Sequence, residues 1–240
     1  MPPARPSRWP LWVRRIHKWL SLLVGVQALL WMAGGLYMVA VPIEAVHGDH
    51  LARNERPALL PSSPRIDPAT LAARYPGMSG FAFKQLGGRE VVELRRGKEI
   101  SLLDAASGAP LAPLTRAQVE ELARAAYLGD GQLRAVDWLT TAPREVGARP
   151  APLWAARFDD AVSTTLYYSP YSGELLTRRH ELWRWFDLAW MLHIMDYDER
   201  ENVNNGLLQA SAIAGSAMAF SGAWLLALWL RPRLRRKLRR

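Results

Sequence analysis

The sequence predicts an α+β domain, built from two tandem helix–strand–strand units and inserted between two transmembrane helices. Three observations predict it. Two uncharged runs, 19–43 and 206–230, are each long enough to cross a bilayer. The densest basic charge lies just outside those runs. The stretch between them sets out one order of helix, strand and turn signals twice.

The first run, "WLSLLVGVQALLWMAGGLYMVAVPI", has no charged residue from Trp19 to Ile43. At about 1.5 Å per residue it covers a hydrocarbon core of roughly 30 Å. The apolar core of a cleaved signal peptide is only about 7–15 residues long, so a retained anchor is expected. The second run, Gly206–Leu230, carries small residues at helical spacing: Ser211, Gly215, Ala219 and Gly222. Such a stripe lets another helix approach closely. The simplest partner is the first span, through Gly25, Ala28 and Gly35; a second copy of the chain is the alternative. Trp12, Trp19, Trp183, Trp185 and Trp229 lie near the span ends, where amphipathic rings sit at headgroup level.

The net charge of +9 is terminal. Segments 1–18 and 231–240 hold twelve of the 31 basic residues and no acid. The rest keeps nineteen against 22 acids, a net of −3. A nucleic-acid reader concentrates charge on its folded domain, so no nucleic acid is expected as a partner. Basic flanks predict that both termini are cytoplasmic and that 44–205 faces the other side. With no cysteine, disulfides, thiolate metal sites and Cys nucleophiles are excluded.

Between the spans, 44–66 reads as a linker, because "ERPALLPSSPR" is rich in proline and serine. The first unit, 67–114, opens on a short helix with Asp67 as N-cap and Pro68 at the first helical position. Strands "FAFKQL" and "REVVELRR" come next across Gly87-Gly88, and "EISLLDAASGAPL" ends in a turn at Ser107-Gly108. The second unit, 115–180, opens on an amphipathic helix with Thr115 and Gln118 spaced for a capping box. Its strands are "LRAVDWLT", "PLWAARFDD" and "STTLYYSPYSGELL", the last ending at Ser172-Gly173. Each helix is expected to cover one face of a small antiparallel sheet, with a core shared between the units. Segment 181–205 then begins with a Trp-rich stretch, too short and too charged to span, and predicts an amphipathic helix in the interface plane.

The helix–strand–strand unit ending in D-x-x-S-G resembles a PepSY module. With "RRIHKWLSLLVGVQALLWMAGGLYM" before it and "WFDLAWMLHIMDYDERENVNNGLLQASAIAGSAMAFSGAWLL" after it, the chain resembles the PepSY-associated transmembrane family in a short, two-span form. The resemblance covers most of 14–230 and rests chiefly on R-x-I-H-K-W-L and W-M-L-H-I-M-D-Y. It implies a bacterial inner-membrane protein with a periplasmic domain. PepSY modules in the propeptides of thermolysin-type peptidases inhibit or chaperone. Larger membrane members resemble iron-uptake-linked reductases that use intramembrane haem. This sequence departs from them, with two spans rather than four and no flavin- or nucleotide-binding module.

Histidine is the natural haem ligand. The resemblance makes haem b the one cofactor to weigh, on His17 and His193. Topology puts these residues at opposite membrane edges, about 30 Å apart, so they are not two ligands of one haem in one subunit. Met32, Met38 and Met218 are the softer candidates within the spans. Trp190, Asp196 and Arg200 are candidates for an interaction face, with Asp196, Arg200 and His193 forming a polar network. "HGDH" at 47–50, with Glu44, is too loose a cluster for a metal site. There is no G-x-S-x-G, no H-E-x-x-H and no glycine-rich phosphate loop, so no catalytic residue is assigned. Three functional readings fit these residues. The leading one is a non-enzymatic accessory module facing a protein partner or a second copy, in metal uptake or envelope proteolysis. The others are a haem-carrying electron-transfer component linked to iron reduction, and a peptidase inhibitor.

Overall fold

A computed structural model describes residues 9–53 and 65–237. The chain is mixed helix and sheet, with apolar helices at both ends flanking a sheet-containing middle. It divides into two compact units, one of Met1–Pro42 with Trp185–Arg240 and one of Ile43–Arg184.

The first unit is helical. Helix α1 runs from Trp9 to Ala40 and helix α6 from Gly206 to Lys237. Their segments Leu11–Ala40 and Gly206–Arg231 are long and apolar enough to cross a membrane. Helix α1 therefore starts ten residues before the uncharged run expected at 19–43, taking in Arg14, Arg15 and Lys18, which are exposed. Pro42 lacks an amide proton and sits just past its end. The two helices are antiparallel: Val24 meets Gly215, and His17 meets Gly222. Helix α5, Glu181–Ile194, belongs to this unit from Trp185 onward.

Sheet and helix alternate in the second unit. Helix α2, Ile43–His47, opens it, with Val46, Leu51 and Ala52 buried. The start of the expected linker 44–66 is thus packed, because apolar side chains at helical and turn spacing find a core. Ala52 bridges to Tyr127. Most of "ERPALLPSSPR" lies outside the described residues.

The first repeat is helix α3, Pro68–Arg74, with strands β1, Gly80–Leu86, β2, Arg89–Arg96, and β3, Glu99–Asp104. The strands form an antiparallel sheet in the order β1-β2-β3. Asp67 caps α3 by accepting from the amides of Ala69 and Thr70. Gly87 and Gly88, at φ 54° and 74°, form the tight turn between β1 and β2. Leu71, Val92, Leu94 and Leu103 fill the core under α3.

The second repeat is helix α4, Arg116–Ala126, with strands β4, Leu133–Leu139, β5, Leu153–Phe158, β6, Thr165–Tyr168, and β7, Leu175–Arg179. A short 3-10 turn, Arg144–Val146, lies between β4 and β5. The expected capping box between Thr115 and Gln118 is present. Val119 and Leu122 of α4 pack on Val136, Ala156 and Leu166. Leu86 of the first repeat packs against this cluster, which is how the two repeats share apolar contact. The second sheet has four strands where the sequence pattern showed three. Ser172-Gly173 is not a strand end but the turn of a β6–β7 hairpin.

Candidate functional site

The residues singled out from the sequence gather at the helix pair with its loop, and a second place, the groove between the repeats, holds others. Each lies within one compact unit.

His17 is tied to α6 through its ring. Its Nδ1 is 2.7 Å from Ser221 Oγ. The Ser221 hydroxyl donates its one proton to the Met218 carbonyl at 2.8 Å. With that proton on Met218, the Ser221 oxygen accepts from His17 when Nδ1 carries the ring proton. A Cβ on Gly222 would meet His17 Cε1 at 3.1 Å, so glycine makes room for the ring. His17 was expected at a membrane edge. It lies opposite Gly222 of α6.

Of the expected packing stripe, Gly215 and Gly222 face α1. Gly25 and Gly35 do not serve the close approach, since a Cβ on either would meet nothing within 4 Å. Ala219 is exposed. The contacting face is set by register: Gly215, Met218 and Gly222 follow 3.6 residues per turn, and Ala219 falls one step off it. Ser211 is half-buried on that same face.

Helix α5 touches α1 at three points. Gly34 admits Ala189, Trp31 faces His193 with ring centroids 6.2 Å apart, and Gln27 Nε2 donates to the Leu192 carbonyl at 3.1 Å. These contacts spread over seven residues of α1, about 10 Å of rise. Trp31 is fourteen residues from His17 on one helix, about 21 Å along its axis. His17 and His193 are thus nearer than the 30 Å expected, yet still too far apart to ligate one iron. Trp31 Nε1 and His193 Nδ1 are buried, and the described residues give them no hydrogen-bond partner.

The loop after α5 is held by its own side chains. Arg200 pairs with Asp187, and Trp190 Nε1 donates to the Arg200 carbonyl at 3.0 Å. Asp196 accepts from the amides of Asp198, Glu201 and Asn202. Those amides hold its carboxyl below the ordinary carboxylate value. Asn205 donates to the Ile194 carbonyl at 2.8 Å and accepts from the Leu208 amide at 2.9 Å, closing α5 and opening α6. The expected network of Asp196, Arg200 and His193 is not what forms: Asp187 takes the arginine, and His193 turns to Trp31. All three residues proposed for an interaction face make polar contacts within α5 and its loop, through Trp190 Nε1, the Asp196 carboxylate and Arg200 Nη1.

In the sheet unit the acids are struts. Glu145 accepts from Tyr167 at 2.5 Å and from Arg184 at 2.9 and 3.3 Å. Burial raises its pKa, but Arg184 and Tyr167 outweigh burial and hold it below the usual value. His180, 1% exposed, bonds the Val46 carbonyl at 3.1 Å through Nε2, and burial lowers its pKa. "HGDH" disperses: Asp49 pairs with Arg178, and His50 meets the edge of the His180 ring. Among the described residues no group of three His or acidic side chains is placed to hold a metal.

A cleft of about 290 Å3 opens between the repeats. Leu86, Leu122, Ala126 and Leu175 form its floor, with Arg53, Lys84, Ser172 and Glu174 around it. Lys84 pairs with Glu93, a carboxylate only 1% exposed that Arg95 also holds at 2.8 Å. Burial raises the Glu93 pKa, and the two cations more than reverse this.

A family model described as the PepSY-associated TM region matches residues 14–240. The chain belongs to that family. No curated protein matches the sequence. The family and its two apolar helices make this a membrane protein of the PepSY-associated type, with lipid around the helix pair. What the sequence missed in this PepSY-associated chain was the cleft. Its residues come from 53, 84–86, 122–126 and 168–175, and only the fold brings them together.

Proposed function

We propose that the chain is a membrane-anchored accessory protein of the bacterial inner membrane, in metal uptake or envelope proteolysis. Both basic ends lie in the cytoplasm, and the two repeats face the periplasm. There they serve as a non-enzymatic docking module. The observation that carries this is the cleft between the repeats, set in a domain whose buried acids are committed to structural ion pairs. Glu93 and Glu145 are held ionised by arginine and lysine, which suits framing rather than proton transfer. The test is in-cell photocrosslinking from a photoreactive residue at Gln85, in the cleft, and at Lys98, in the turn at the far end of the same sheet. A defined adduct from the sheet unit supports the module. No adduct from either position contradicts it.

A second reading is favoured by His17. A ligating histidine donates its other ring N–H to an oriented acceptor, and the Ser221 arrangement supplies that acceptor. His17 would hold haem b together with its counterpart from a second copy. Haem would supply one-electron transfer. The protein purified in mild detergent from haem-replete cells decides this by its visible spectrum. A stoichiometric Soret band lost in His17→Ala supports haem; a colourless protein removes this reading and leaves the module.

A further inference from the structure

The geometry points to the cleft between the repeats as a site for the carboxyl-terminal end of an extended peptide with an apolar last side chain. This rests on the docking-module reading and names its partner. Three features of the cleft argue for that occupant.

The first is the edge. Strand β1 stands at the end of the order β1-β2-β3, and its ladder is to β2. Lys84, Gln85 and Leu86 of this edge strand line the cleft. An edge with no other strand among the described residues offers main-chain donors and acceptors in strand register, which an extended chain matches without regard to its sequence. The second is the floor. Leu86, Leu122, Ala126 and Leu175 are apolar, and the volume of about 290 Å3 falls at the small end of ligand pockets. It suits one or two side chains rather than a cofactor.

Charge is the third. Glu93 is shared by Lys84 and Arg95, so that trio keeps one positive charge. Arg53 adds one and Glu174 removes one. Among the described residues the cleft therefore carries a net +1, the complement of a single carboxylate. Arg53 lines the cleft and forms no salt bridge among the described residues; a guanidinium there suits a bidentate grip on a carboxylate. A peptide end satisfies all three features together: strand-like main chain on β1, an apolar side chain on the floor, and the terminal carboxylate on Arg53.

The probe is a fluorescein-labelled eight-residue peptide of alternating threonine and valine ending in leucine, read by anisotropy against the full chain in lipid nanodiscs. Saturable binding is expected for the free carboxylate. Amidating the C-terminus should weaken it about tenfold or more, as loss of a charge-assisted pair does. Arg53→Glu should do the same. Lys98→Glu makes the same charge change at the opposite end of the sheet and should leave binding within twofold. The inference is overturned by an absence of saturable binding, by equal binding of the amide, or by equal loss in Lys98→Glu. If the peptide fails while a photoreactive residue at Lys98 still gives a defined adduct, the cleft is wrong and the module stands. Failure at both positions removes the two together.

Discussion

The two repeats close with the same turn and then diverge. In the first, the Asp104 carbonyl accepts from the Gly108 amide at 2.8 Å, and the Asp104 amide donates to the Ala109 carbonyl at 2.9 Å. In the second, Ser169 makes the same two bonds with Gly173 and Glu174, at 2.9 and 3.0 Å. Ser107 and Ser172 both accept, through Oγ, from the amide two residues on, at 3.3 Å. Gly108 and Gly173 have φ of 65° and 67°. Beyond the turn the two chains part. Ala109-Pro110 leads into a single bridge, Leu103 to Pro110, because proline has no amide proton for a ladder. Glu174-Leu175 leads into a full strand, β7, and through it to His180 and α5. One proline thus separates a repeat that ends in a loop from one that hands the chain on to a helix. The same turn can terminate a sheet or extend it, according to the residue after next.

The largest expected effects test whether each repeat owns a core. Leu71→Ala and Leu166→Ala each remove a fully buried side chain from separate clusters. Each should cost about 2–5 kcal/mol. Hydrogen exchange on the full chain should show Leu71→Ala loosening β1–β3 more than β4–β7, and Leu166→Ala the reverse. Equal loosening of both sheets would mean one cooperative core.

Next is the route from β7 into α5. Glu145→Ala strands Arg184 and Tyr167 together and should cost about 2–3 kcal/mol. Its folded pKa is lowered. The stability it contributes is therefore present above the ordinary glutamate value and lost as pH falls through the lowered one. A denaturant series at falling pH should show this loss in the parent and not in Glu145→Ala.

Gly108→Ala and Gly173→Ala compare the turns directly. An added Cβ would meet Ile66 at 2.3 Å in one and Leu86 at 2.4 Å in the other. With positive φ as well, each should cost about 1–2 kcal/mol. Similar losses support equivalent turns, and a neutral substitution at either breaks the equivalence. The smallest effect is at Asp104. Arg89 and the Ser107 amide and hydroxyl hold its carboxyl well below the usual range. Its support for the first turn is present above the ordinary aspartate value and fades on acidification. Ser169 has no such charge. Amide exchange at Gly108 should thus accelerate at low pH relative to Gly173, and Asp104→Ser should abolish the difference.

Much of this was legible because the signals are local. Asp67-Pro68, Thr115 with Gln118, and Gly87-Gly88 each fix a cap or turn within four residues. The spans were legible from composition, though their ends were not. Helix α1 continues through Arg14, Arg15 and Lys18 because all three are good helix formers, and a helix need not begin where its apolar run does. Strand β7 was missed because a Ser-Gly turn looks the same whether a strand comes next or not. The placement of His17, the packing of α5 on α1 and the cleft were beyond reach, because each depends on partners far away in sequence: Ser221, Gly34 and the two repeats.

The docking role depends on the sheet unit lying in the periplasm while both basic ends stay in the cytoplasm. A reporter that is active only in the periplasm is inserted in the exposed β2–β3 turn at Gly97-Lys98, and in a second strain it is fused after Arg240. Activity is expected at Gly97-Lys98 and none after Arg240. Activity after Arg240, or silence at Gly97-Lys98 with the protein present in the membrane, would contradict that topology.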